Sequence, residues 1–291
     1  MRIHFEEDMK KALNEGFAGF GIRPTSRIKI EDALLDFLTT VKKLVQPRRR
    51  TVRYNPAFKA RITNHPKCSE ILYLEKLFNT GQNVNFFQSK KLFQTGFHDH
   101  LVYEWGIYHF HLSLEKERKS NFMKQTRQLL FVFVLDEEAI FLDTDSHDVG
   151  SFGDPKWIQI LHDHFPETIV QHLETTITDL SPNVNPSERQ TLWDKGYLIG
   201  MTPVIGAIYR NPGIGRTSSG HSVLVVKMMG EIMRWLWEMV DVFEKSYEEI
   251  CSVVQLDPMY TDFVLRIGEH TFEIIDSRSR KIIITYPERL N

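Results

Sequence analysis

Apolar positions recur at helical spacing early in the chain, where Ile30, Ala33, Leu34, Phe37, Val41 and Leu44 mark one face of a helix that Pro47 must end. Residues 1 to about 45 are therefore expected to form two helices with a shared core face. Leu72 to Phe78 predicts a further short helix, closed by Gly81. From about residue 96 the period becomes that of strands. Between Trp105 and Ser113, His109 and His111 fall on one face, while Tyr108, Phe110 and Leu112 fall on the other. Leu129 to Leu135 is a continuous apolar run, the pattern of a strand buried on both faces. Asp136-Glu137-Glu138 turns the chain into a third strand over Ala139 to Leu142. Three strands so joined make an antiparallel meander.

Trp157, Ile158, Leu161 and Phe165 trace another helix face that stops at Pro166. Residues 176–221 are rich in turn formers and hold one short helix, signalled by Asn185 as cap, Pro186 at the first position and Glu188 three after the cap, closing at Gly196. A long helix follows, roughly Val225 to Cys251. Its stripe of Met228, Met229, Ile232, Trp235, Leu236, Met239, Phe243 and Tyr247 predicts burial against a sheet. The last strands are expected at Phe263 to Ile267, Thr271 to Ile275 and Lys281 to Tyr286, separated by Gly268-Glu269 and by Asp276 to Arg280. The pattern predicts an α+β protein with four stretches. These are a helical and basic region over 1–95, a β-meander over 96–175, a linker with a Gly-rich loop over 176–221, and a helix with antiparallel strands over 222–291.

Composition adds that the chain folds: 42% hydrophobic, 12% aromatic and 25% charged residues exclude a disordered or collagen-like polymer. A length of 291 residues is more than one ordinary core fills. The longest apolar run has seven residues, against the roughly 20 of a membrane helix, so no span is expected. The first residues carry Glu6, Glu7 and Asp8 where a secretory signal would be apolar. Cys68 and Cys251 form neither a disulfide framework nor a zinc pattern, and with the start of the chain they predict a cytoplasmic protein.

Charge is informative locally. The net charge is −2, yet no acid lies between Asp36 and Glu70, a span holding Lys42, Lys43, Arg48, Arg49, Arg50, Arg53, Lys59, Arg61 and Lys67. Tyr54 and Phe58 are interleaved with them, as in surfaces that stack unpaired bases. Arg48, Arg49, Arg50, Arg53, Tyr54, Lys59 and Arg61 are thus candidates for RNA contact. The other reading is a basic stretch balanced by acids brought from elsewhere in the fold.

Eight of the twelve histidines fall between positions 98 and 172. Imidazole titrates near neutrality and can both take and give a proton. His109 and His111, with Arg127 before the next strand and His147 after the third, could converge on one side of the meander facing a cleft or solvent. That set meets the needs of metal-free RNA cleavage: a base for the 2′-hydroxyl, an acid for the leaving oxygen and a cation for the phosphorane. His98-Asp99-His100, Asp143 with Asp145, and His162-Asp163-His164 would suit a metal, but no ligand spacing is diagnostic, and neither metal nor cofactor is expected. Arg210 to His221, RNPGIGRTSSGH, is the one Gly-rich loop. It lacks the lysine of a P-loop, though Arg210, Gly213, Gly215, Arg216 and Ser218 could cradle a phosphate.

The runs DHLVYEWGIYHFHL from Asp99, LLFVFVLDEEAIFLDTDSH from Leu129 and ILHDHFPE from Ile160, with NPSERQTLWDKG and TSSGHS beyond, resemble an uncharacterised prokaryotic family found on mobile elements and among defence genes. The meander, with an Arg before its middle strand and a His after its third, is more distantly similar to RelE-type ribonuclease toxins. The first resemblance carries no settled activity; taken with the histidine set, the two point to a metal-independent endoribonuclease of toxin or antiviral-defence type, with RNA as substrate and an antitoxin or other defence protein as partner. The alternative they leave is a non-catalytic defence component that binds nucleic acid or a protein.

Overall fold

The described chain begins with helices α1 (Phe5–Gly19) and α2 (Ile30–Lys43), followed by strand β1 (Thr51–Tyr54) and helices α3 (Pro56–Arg61), α4 (Cys68–Thr80) and α5 (His100–Trp105). Strands β2 (Ile107–His111), β3 (Gln128–Val134) and β4 (Glu138–Ser146) come next, then α6 (Lys156–His164), β5 (Leu173–Glu174), α7 (Pro186–Asp194) and the hairpin β6 (Met201–Val204) and β7 (Ala207–Arg210). Helices α8 (Val223–Lys245) and α9 (Tyr247–Val253) and strands β8 (Phe263–Ile267), β9 (Phe272–Asp276) and β10 (Ile282–Tyr286) complete the order. The structure is a computed structural model and describes residues 4–22, 29–118, 120–148, 150–181, 183–267 and 271–286. The expected Gly268-Glu269 turn lies outside these. The architecture is α+β, with the meander and the C-terminal helix and hairpin strands in place.

By contacts, the chain divides into two units, one of residues 1–42, 93–96 and 224–291, the other of residues 43–92 and 97–223. The expected 1–95 stretch is therefore split: the leading helices share a core with the C-terminal elements rather than with the basic stretch that follows them. In that first unit Phe5, Met9, Leu13 and Leu34 pack with Ile232, Trp235, Leu236 and Phe243 of α8 and with Phe263, Leu265, Phe272 and Ile274 of the β10-β9-β8 sheet. The predicted long helix breaks at Ser246, and Tyr247 on the second piece donates to the Thr261 carbonyl at 2.7 Å.

The second unit is built on a four-stranded sheet in the order β1-β4-β3-β2. β2, β3 and β4 form the predicted antiparallel meander, and β1, which lies inside the basic stretch, adds to β4 in parallel. Both faces of the sheet are covered, which is why β3 reads as an unbroken apolar run. Tyr108, Phe110, Leu130, Val132 and Phe141 pack against Phe58 of α3 and Ile71, Leu74, Leu77 and Phe78 of α4. On the other face Ile107, Leu129, Phe131, Ile140 and Leu142 meet Trp157, Ile158 and Leu161 of α6 and Trp193 of α7. α7 starts with the expected capping box: Asn185 accepts from the Glu188 N–H at 2.9 Å, and the Glu188 carboxylate accepts from the Asn185 N–H at 3.1 Å. Among the described residues no helix is long and apolar enough to cross a membrane.

Candidate functional site

Alternation along β2 places His109 and His111 on the Phe131 face, and three of the four predicted catalytic residues meet there. The His109 and His111 rings are 6.5 Å apart, and His147 lies 6.2 Å from His111 with its plane nearly parallel. Phe152 closes the group, edge-on at 5.0 Å from His109 and 5.1 Å from His147. The face does not open on a cleft or on solvent as the alternation suggested. His109 is 8% and His111 2% exposed, because Phe152 and Trp157, which stacks on Phe131 at 4.1 Å, roof this side of the sheet. Only His147 is exposed. Arg127 stands apart, 78% exposed, with its guanidinium on both Asp148 oxygens at 3.0 Å. Burial holds His109 down to about 4, His147 adding to the effect. His111 is likewise held near 4 by burial, against an opposing pull from Thr126. His111 Nδ1 lies 3.0 Å from both the carbonyl oxygen and the amide nitrogen of Thr126, so it donates to the carbonyl when protonated and accepts the N–H when not.

The basic stretch is largely neutralised within the fold. Arg48 pairs with Asp136 at 3.1 Å, Arg53 bridges Glu138 and Glu167 at 3.0 and 2.9 Å and lies over Phe165, and Arg61 pairs with Asp143. Arg50 is buried, donating to the carbonyls of Leu135 at 2.7 Å and Gln46 at 2.8 Å. Tyr54 does not present a stacking face: its ring packs edge-on to Phe141 and its hydroxyl is buried, while Lys59 lies over it at 5.5 Å. Arg49 is exposed. The run free of acids in sequence is thus met by acids from β4 and the loops around it, the second of the two readings.

The Gly-rich loop is not an anion cradle. The Gly213 N–H donates to the Glu104 carbonyl and the Gly215 N–H to the Tyr103 carbonyl, both at 2.9 Å, so these donors are spent on α5. A Cβ on Gly213 would stand 2.5 Å from the Tyr103 carbonyl oxygen, which explains the glycine by close backbone approach. Arg216 is 5% exposed and points inward. Its Nε donates to Glu104 at 2.6 Å, and its remaining nitrogens meet His100 Nδ1 at 2.9 Å, the Trp193 carbonyl at 3.2 Å and the Tyr197 carbonyl at 3.1 Å. Ser218 is exposed at the hairpin tip, and Arg210 pairs with Glu174 at 3.2 Å.

Anchored this way, the hairpin after Arg216 carries His221 onto His98. Their rings lie 4.8 Å apart at 86°, both half-buried, with Tyr103 6.2 Å from His98. Gly220 fits against the His98 ring, where a Cβ would come to 3.6 Å. Two polar atoms here are buried without a hydrogen-bond partner, His98 Nδ1 and the Tyr103 hydroxyl. Burial pulls His98 below the ordinary imidazole value, and His221, Lys43 and Arg216 add to the pull. The next residue, Asp99, caps α5 by accepting the Val102 N–H at 3.2 Å and is pushed up to about 6 by burial. Its carboxylate stands 3.9 Å from His109 Nδ1, linking the two histidine groups without a hydrogen bond. Sequence reasoning weighed His98 only as a metal ligand. Periodicity carries no signal for a contact between residues so far apart, although His221 lies in the run TSSGHS and His98 immediately precedes the run that begins at Asp99. Among the described residues no three His, Cys, Asp or Glu side chains are grouped to hold a metal. No protein-family model, curated protein or solved structure matches the chain.

Proposed function

We propose that the chain is a metal-independent endoribonuclease of toxin or antiviral-defence type, with His98 and His221 as its acid–base pair. The contact of these two half-buried rings carries the reading, since cleavage needs two proton-transfer groups that a polymer can reach. His109 and His111 are too deeply covered to touch a phosphate. His98, kept neutral near pH 7, takes the 2′-hydroxyl proton as the 2′-oxygen bonds to phosphorus. The bond from phosphorus to the 5′-oxygen breaks, and protonated His221 supplies the proton to that oxygen. The products are a 2′,3′-cyclic phosphate and a 5′-hydroxyl. Positive charge from Lys43, felt at His98, favours the charge that builds on the phosphorane, whereas Arg216 is balanced by Glu104. Ser218, exposed on the His221 hairpin, offers a hydroxyl donor, while Thr217 donates to the His221 carbonyl at 3.1 Å and is hydrogen-bonded to Ser219 at 2.8 Å. The toxin or defence setting, and with it an antitoxin or other protein partner, rests on the sequence resemblance.

The test is incubation of the purified chain with single-stranded RNA in EDTA. Expected are fragments ending in cyclic phosphate, and a loss of about 10²-fold or more in His98→Gln and in His221→Gln at unchanged melting temperature. Absence of cleavage, cleavage only on adding a divalent ion, or full activity in the double variant overturns the reading.

A further inference from the structure

α8 carries two long stripes. One, with Ile232, Leu236 and Phe243, is buried in the core of the first unit. On the other side Lys227, Gly230, Arg234, Trp237, Asp241 and Glu244 follow one another at alternating spacings of three and four residues, which aligns them along a single face. All are exposed except Gly230, which is half-buried. Glu231, Glu238 and Lys245 flank the stripe along one edge.

Three features of this face call for a second helix. Trp237, 52% exposed, makes no ring contact or hydrogen bond among the described residues, although an indole is the kind of side chain that anchors interfaces. Gly230, two turns earlier, weakens the interior of a long helix. Nothing in the chain requires it, because a Cβ there would meet no atom within 4 Å. It leaves a notch on the same face as the indole. Finally, charge is sorted along the stripe, with Lys227 and Arg234 in the first half and Asp241 and Glu244 in the second. Arg234 and Glu244 have no ion pair or hydrogen bond among the described residues. Lys227 and Asp241 hold only exposed pairs one turn along the helix, with Glu231 at 3.7 Å and Lys245 at 2.7 Å, contacts that bind weakly in water.

We propose that this face of α8 packs on the same face of a second copy of the chain, with the two helices antiparallel. Turning one copy end for end sets Lys227 opposite Glu244 of the partner subunit and Gly230 opposite Asp241 of the partner subunit. Arg234 then lies on the partner subunit's Trp237, guanidinium over indole. Gly230, one turn from that contact, makes room for the ring. A parallel pair would set lysine against lysine and glutamate against glutamate, so charge selects the antiparallel one. The contact is two-fold symmetric and closes at a dimer. One helix laid on another stands at the small end of specific interfaces, near or below about 1,200 Å² in total. A reversible dimer with Kd of about 1–100 µM is therefore expected. Cleavage by His98 and His221 is independent of it.

Sedimentation velocity of the whole chain from about 1 to about 200 µM tests the proposal, with dimer growing in as concentration rises. Lys227→Glu/Arg234→Glu makes the stripe acidic throughout, and Asp241→Lys/Glu244→Lys makes it basic throughout. Each variant alone should be monomeric while still folded by circular dichroism, and an equimolar mixture of the two should dimerise again. Trp237→Ala leaves the charges in place and should weaken the dimer about tenfold or more, which decides the matter if a charge variant does not fold. A wild-type chain that stays monomeric over the whole range overturns the proposal and leaves the face to a different protein. A dimer that survives both charge variants or is unaffected by Trp237→Ala, or a mixture that fails to associate, overturns it as well.

Discussion

Arg49 and Arg50 are neighbours of identical chemistry with opposite fates. Arg50 sits at 6% exposure with its guanidinium on the Leu135 and Gln46 carbonyls, so it tethers the turn between β3 and β4 to the segment leading into β1. Arg50→Ala leaves two half-buried carbonyls without their charged donor and is expected to cost about 2–3 kcal/mol in urea unfolding. Arg49→Ala, on the surface, should stay within about 0.5 kcal/mol. Equal effects at the two positions would show that the stretch acts as a solvated polycation. The run of cations was legible in the sequence at every residue, but their partners were not. Asp136, Glu138, Asp143 and Glu167 reach them only because β1 pairs in parallel with β4.

Elements were most legible where the signal is local. Gly81, at φ +73°, ends α4 as its spacing predicted, and Asn185 with Glu188 starts α7 through the capping box. β1 was missed because a parallel strand has no hairpin to announce it, and its four residues show only two apolar-facing positions, Val52 and Tyr54. The β6–β7 hairpin was hidden in a region that read as turns. Gly213 belongs to this scale, since its missing side chain lets one segment lie on another. Gly213→Ala would press a methyl against the Tyr103 and Val102 carbonyls at 2.5 and 2.6 Å, both backbone atoms that cannot rotate away. It should cost about 1–3 kcal/mol, and displace the His221 hairpin so that RNA cleavage falls further than the loss of folded protein explains. Activity that tracks the folded fraction alone would separate the hairpin's placement from catalysis.

For the molecule as a whole, the covered histidines set the response to acid. His109 and His111 titrate near 4 in the fold and near 6.5 in the unfolded chain, so between these values the unfolded chain binds protons that the folded one refuses. Stability therefore falls as pH drops from about 6.5 towards 4, by a few kcal/mol for the pair. Asp99 works the other way, because its raised value of about 6 makes the fold take up a proton that the unfolded carboxylate does not bind until about 3.9, but His100, held down to about 3 by burial, adds to the two histidines. Melting temperature should thus decline between pH 6.5 and 4.5, and the decline should be shallower in His109→Gln/His111→Gln, with His100 left to titrate. A double variant with the same pH slope would show that these rings are not the titrating groups. The sequence by itself determined α1, α2, α4, α6, α7 and α8, the meander and which histidines share a strand face, since those follow from repeats of two and 3.6 residues within a few turns of chain. The short α3 and α5, the latter where strands were expected, left no such repeat. Only the tertiary structure decided that His109 and His111 lie under Phe152, that the arginines are answered by distant acids, and that His221 meets His98. Each of these is a contact between segments far apart in the chain. Such contacts depend on which faces pack together and on what desolvation that packing imposes, and no local period records either.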